Sequence, residues 1–157
     1  MVASSKAEIR NLLYDHYEFG ECVIEDVKWR DQGATIDLLL NYVWSDTDGF
    51  AFDGRRFSVK DGRLRPDLDT PLVKTLRFHF VQEFHAHNWW NASVASADVL
   101  NWGASEVAAI RVQDDSLFLA KYRIHPVAFH HVTALWEGDR RLDVVCSAIE
   151  VLSSDGA

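Results

Sequence analysis

Residues 78–91 read FHFVQEFHAHNWWN, and the reading of this stretch decides the fold. Extended backwards to Leu72, it alternates. Leu72, Leu76, Phe78 and Phe80 fall on one face, and Val73, Thr75, Arg77, His79 and Val81 on the other. A period of two is the signature of a strand with one apolar face. The spacing therefore predicts a strand over 72–84, with Phe78 and Phe80 inside. The competing reading is a metal site. His85 and His87 lie two apart, so on a strand they share a face, and His79 is in phase with both if the strand runs unbroken. A catalytic zinc needs a third protein ligand as well, from His79, His125, His130, His131, Glu83 or Asp98. The alternation loosens at Phe84–His85, and Asn88 favours a turn. The ligand set stays incomplete, so the stretch reads as a core strand that runs into an aromatic loop. Trp89 and Trp90 are adjacent and point opposite ways in an extended chain, so one covers the core and the other is free to bind a partner.

The flanking sequence supplies more strands. Ser5 and Glu8 have the spacing of a capping box, followed by Ile9, Leu12 and Leu13 on one face, which predicts a helix over 5–17 that stops before Gly20. After Gly20 the period becomes strand-like. CVIEDVKWR (22–30) and ATIDLLLNYVW (34–44), joined by Asp31-Gln32-Gly33, predict a hairpin. In it Ile24 breaks the alternation and implies a bulge. Ile36, Leu38, Leu40, Tyr42 and Trp44 share a face of the second strand. Further strands are expected at 104–113, 116–125, 130–138 and 140–152. Seven or so short strands after one helix predict a mainly β fold. The expected form is a single-domain antiparallel sandwich or partly open barrel over 1–157, with a frayed tail at 153–157. Residues 45–71 are rich in glycine and charge and read as a long loop or insertion with a small hairpin around Phe57 to Leu64. Their carboxylates Asp46, Asp48 and Asp53 lack the spaced ligands and terminal Glu of a calcium loop.

Composition limits the function. The chain has 157 residues, two cysteines and a formal charge of −8. That charge argues against nucleic acid and anionic lipid as partners and suits a basic protein. No apolar run approaches the ~20 residues of a membrane helix. The start shows no secretory pattern, which predicts a cytoplasmic protein with reduced, buried cysteines. A nucleophile-elbow serine motif, a phosphate-binding loop and a dinucleotide fingerprint are all missing. No cofactor is implied.

LLYDHYEFGECVIEDVKW (12–29), LRFHF (76–80) and ALWEGDRRLDVVCSAIEV (134–151), which ends on Cys146, Ile149, Glu150 and Val151, resemble small β-rich bacterial immunity proteins of polymorphic toxin systems. The resemblance covers about two-thirds of the chain and leaves out 45–71 and HAHNWW. It implies a non-enzymatic domain that neutralises a basic toxin by contact. The surface expected to do so carries Asp46, Asp48, Asp53, Trp89 and Trp90. A metal-binding β-barrel, enzymatic or not, using His85 and His87, and a homo-oligomeric domain such as a homodimer are the alternatives.

Overall fold

The structure is a computed structural model that describes residues 1–20, 22–45, 57–60, 63–66, 73–87, 107–136 and 140–153. It is mainly β with one short N-terminal helix, as the alternation requires. Ser5 caps that helix, Lys6–Arg10 (α1), by accepting from the Glu8 amide, while the Glu8 carboxylate accepts from the Ser5 amide. The helix widens into a π-helical turn over Asn11–His16, which seats Leu12 and Leu13 in the core.

Thirteen strands are seen among the described residues. In chain order they are β1 Val2–Ala3, β2 Tyr17–Glu18, β3 Val23–Arg30, β4 Thr35–Asn41, β5 Trp44–Ser45, β6 Phe57–Lys60, β7 Arg63–Pro66, β8 Lys74–His79, β9 Glu83–His87, β10 Val107–Val112, β11 His130–Trp136, β12 Arg140–Cys146 and β13 Ala148–Ser153. One sheet has the order β1-β13-β8-β4-β3, and a second has β10-β11-β12-β9. All their pairings are antiparallel, and neither sheet closes into a barrel. Both sheets contribute to a shared hydrophobic cluster, with Ile36, Leu38, Leu40, Leu76, Phe78 and Ile149 from one and Ile110, Val132, Leu142 and Val144 from the other. Each such side chain stabilises the fold by about 1.5–3 kcal/mol on burial. The two faces therefore meet as in a sandwich.

The expected single strand over 72–84 is two strands, β8 and β9, in different sheets. The expected strand over 140–152 is likewise β12 and β13. The two stretches stay paired through the corner. Phe80, Val81 and Gln82 lie opposite Cys146 and Ser147, so one side carries an extra residue. Phe80 absorbs it with φ +52°. The Gln82 amide donates to the Val145 carbonyl at 2.8 Å and the Ser147 amide to the His79 carbonyl at 3.0 Å. A positive φ turns Phe80 away from the face of Phe78. Phe80 is half exposed and stacks on Phe129, rather than lying inside.

The bulge lies between Ile24 and Asp26, and β6 pairs with β7 as the small hairpin. β4 ends at Asn41, whose side-chain oxygen accepts from the Tyr42 amide as Tyr42 takes φ +61°, so Tyr42 and Trp44 leave the strand face. Residues 116–125 are not a strand. Ser116 caps a 3₁₀ helix over Leu117–Tyr122 by accepting from the Phe118 amide. Phe118 and Tyr122 both turn towards the second sheet, Phe118 packing on His131 and Tyr122 donating to Glu83. No helix among the described residues is long and apolar enough to cross a membrane.

Candidate functional site

The outer face of the second sheet is polar. Thr133 of β11 lies opposite Asp143 of β12, which in turn lies opposite His85 of β9. Cross-strand partners share a face, as do residues two apart, so His131, Arg141, Glu83 and His87 join them. The segment between β10 and β11 folds over this face with Ser116, Phe118 and Tyr122. His131, Thr133 and Asp143 are consequently buried, at 2%, 1% and 1% exposure.

A carboxylate buried this deeply needs donors. Asp143 receives Arg141 Nε at 2.9 Å on Oδ2 and Arg141 Nη2 at 2.8 Å on Oδ1. Thr133 Oγ1 donates at 3.1 Å, His131 Nε2 lies 2.6 Å from Oδ1 and His87 Nε2 lies 3.2 Å from Oδ2. Burial alone would raise the Asp143 carboxyl. The hydrogen bonds from Arg141 and then His131, with the Arg141 charge, outweigh it and hold the group below the usual carboxylate range. A second carboxylate, Glu83, is pushed up by burial but held low overall by Tyr122, His85 and Lys121. The Tyr122 hydroxyl donates to Glu83 Oε2 at 2.7 Å. Burial and that bond push the Tyr122 phenol up to about 12.

His131 links this network to the covering segment. Its Nδ1 lies 2.6 Å from Ser116 Oγ, and its ring packs against Phe118 with centroids 4.6 Å apart. Ser116 lines an open cleft of about 530 Å³ together with Leu117, Leu119, Tyr122, Val127 and Phe129. Leu117 and Ile124 project from the same segment, 91% and 97% exposed.

The histidines of the opening stretch do not form one group. The corner at Phe80 breaks their phase, so His79 sits in the first sheet against Glu150 at 3.0 Å. His85 and His87 sit in the second and turn to Glu83 and Asp143. Among the other candidate third ligands, His130 Nε2 donates to the Ser4 carbonyl and His125 Nδ1 accepts from the Val127 amide. Asp98 lies outside the described residues. Among the described residues, no group of three or more His, Cys, Asp or Glu side chains could hold a metal ion. Asp46, Asp48, Asp53, Trp89 and Trp90 lie outside the described residues. Cys22 and Cys146 are free and buried, and burial pushes both thiols up to about 12.

Ser116, Thr133 and Asp143 were not singled out by motif. The polar alternation of His131 and Thr133 with Val132 and Ala134, and of Arg141 and Asp143 with Leu142 and Val144, was the available signal. It says that a polar face exists, but not what covers it.

Likeness to known proteins is slight. No family model matches the chain, and no curated protein matches it. The chain is similar to a crystal structure of an uncharacterized protein from Neisseria gonorrhoeae, with 8% identity and a TM-score of 0.45 over 86% of this chain and 93% of that one.

Proposed function

We propose that this chain is a protein-recognition domain whose partner is basic, in its sharpest form a toxin domain neutralised by direct contact. The observation that carries the reading is the segment between β10 and β11, which holds Leu117 and Ile124 almost wholly in water. Each would gain about 1.5–3 kcal/mol on burial against a partner. Large aliphatic side chains held out on a segment anchored to the sheet by Tyr122 and Phe118 suit an interface better than a free surface. The formal charge of −8 favours a basic partner by steering. Asp46, Asp48, Asp53, Trp89 and Trp90 belong to the same proposal as additional contacts.

A different protein fits better than a second copy. β3 is an edge of the first sheet, but it carries exposed Lys28 and Arg30, and charge along an edge opposes strand-to-strand pairing. Its exposed Trp29 already packs edge-on against Phe84, with centroids 4.6 Å apart.

The test mixes the purified chain with the product of any adjacent gene that encodes a basic toxin domain. One equivalent should abolish toxin activity, and the Leu117→Asp, Ile124→Asp double variant should need at least tenfold more. A toxin that keeps its activity under excess chain sinks the neutralisation reading. A dimer mass by light scattering that falls to monomer in the double variant gives the surface to self-association instead.

A further inference from the structure

Three residues distant in sequence form one hydrogen-bonded chain: Ser116 Oγ to His131 Nδ1 at 2.6 Å, and His131 Nε2 to Asp143 Oδ1 at 2.6 Å. The proton positions follow from the partners. Asp143, held ionised by Arg141, only accepts, so Nε2 carries the hydrogen. In the neutral ring Nδ1 is then the acceptor, and Ser116 points its hydroxyl proton at it. Ser116 Oγ meanwhile accepts from the Phe118 amide at 3.2 Å, which leaves that proton free to be given. A helix cap needs only an acceptor oxygen. It does not call for a buried histidine and a buried carboxylate behind the serine, both of which cost desolvation.

We propose that Ser116 is an activated nucleophile for small carboxylic esters, with His131 as its base and Asp143 as a positioning residue. This is the nucleophile, base and orienter relation of acyl-transfer sites, reached without a sequence motif. Ser116 lines the cleft, where Leu119, Val127 and Phe129 can meet a short acyl chain and Asp114, Asp115 and Arg123 add charge. In the step, Ser116 Oγ forms a bond to the acyl carbon and its proton passes to His131 Nδ1. The ester C–O bond breaks and the leaving alkoxide takes that proton. Water then attacks the acyl-serine by the same route, releases the acid and restores the hydroxyl. The inference does not rest on partner recognition. If turnover is found, it displaces the contact-only form of that reading.

The experiment treats the full chain with an alkyl fluorophosphonate and follows the adduct by intact mass and peptide mapping, with p-nitrophenyl acetate hydrolysis in parallel. The expected result is one adduct, on Ser116, none in Ser116→Ala, and a labelling rate about 10²-fold lower or more in His131→Gln. No adduct on Ser116 of the folded wild-type chain overturns the proposal, as does an undiminished rate in folded His131→Gln. If that variant does not fold, the wild-type pH profile decides. A rate that rises along a single-proton titration to a plateau supports a base, and a rate that only tracks hydroxide overturns one.

Discussion

Asp37 and Asp143 are both carboxylates buried on the outer face of a sheet, at 3% and 1% exposure, yet their surroundings differ in kind. Asp37 on β4 is held by two arginines, Arg77 from the neighbouring β8 and Arg30 from the end of β3, at 2.7–2.9 Å. For Asp37 too, burial raises the carboxyl, and the arginine hydrogen bonds and charges overcome it. Asp143 has one arginine, a threonine and two histidines. An arginine does not release its proton in a protein, so Asp37 ends in a fixed ion pair. A histidine can pass a proton on, and His131 leads from Asp143 to a hydroxyl at a cleft. Equal burial and similar charge compensation thus support a static clamp in one sheet and, in the proposal above, a proton path in the other.

The sharpest way to break this comparison is to neutralise each carboxylate without changing its shape. Asp143→Asn should lower the fluorophosphonate labelling rate of Ser116 by about 10²-fold or more, because an amide no longer fixes the His131 tautomer. It should also flatten the pH profile of that rate. Asp37→Asn should leave both unchanged. Equal losses in the two variants would mean that labelling reports only general loosening of the fold.

The next effect is on stability, read by urea unfolding. Asp143→Ala should cost about 3 kcal/mol, since it strands the Nε2–H of a buried His131. Asp37→Ala should cost less, about 2 kcal/mol, because Arg30 is half exposed and Arg77 is partly so, and both can rehydrate. The reverse order would place the stronger clamp in the first sheet.

Acid titration extends the contrast. Asp37, Glu83 and Asp143 all sit below their ordinary values in the folded chain. A carboxyl depressed by folding contributes stability that is fully present above its unfolded value, about 3.9–4.3, and is lost as pH falls through the folded value. Stability should therefore hold from neutrality down to about pH 5 and fall below it. Asp37→Asn and Asp143→Asn should each make that fall shallower. An unchanged acid limb in either variant would show that its carboxyl does not titrate with unfolding.

How far these regions were legible in sequence follows from the range of the interactions. The cap at Ser5 and the buried faces of β4 and β8 are set by neighbours within a few residues, and the bulge after Ile24 lies in a hairpin with a short turn, so the pattern of residues shows them. The corner at Phe80 was not visible, because an extra residue opposite Cys146 and Ser147 exists only once strands 60 or so positions apart are paired. Residues 116–125 alternate well enough to pass for a strand. Their helical turn is decided by Phe118 and Tyr122 reaching His131 and Glu83. Ser116, His131 and Asp143 carry no common spacing, so only register brings them together. The histidine stretch misled in the opposite sense: His79, His85 and His87 look like one ligand set in a straight strand and are parted by the bend.

The smallest expected effect separates stability from recognition. Ile124 is almost fully exposed and makes no part of the Asp37 or Asp143 clusters. Ile124→Asp should change the unfolding free energy measured in urea by no more than about 0.5 kcal/mol, the usual range for a surface position. If it nonetheless weakens binding of the basic partner tenfold, the side chain is kept apolar and exposed for contact. A loss of 1 kcal/mol or more in the isolated chain would instead mean that Ile124 is buried against some other part of the chain in solution. The recognition reading would then lose its main support, while the contrast between Asp37 and Asp143 would stand.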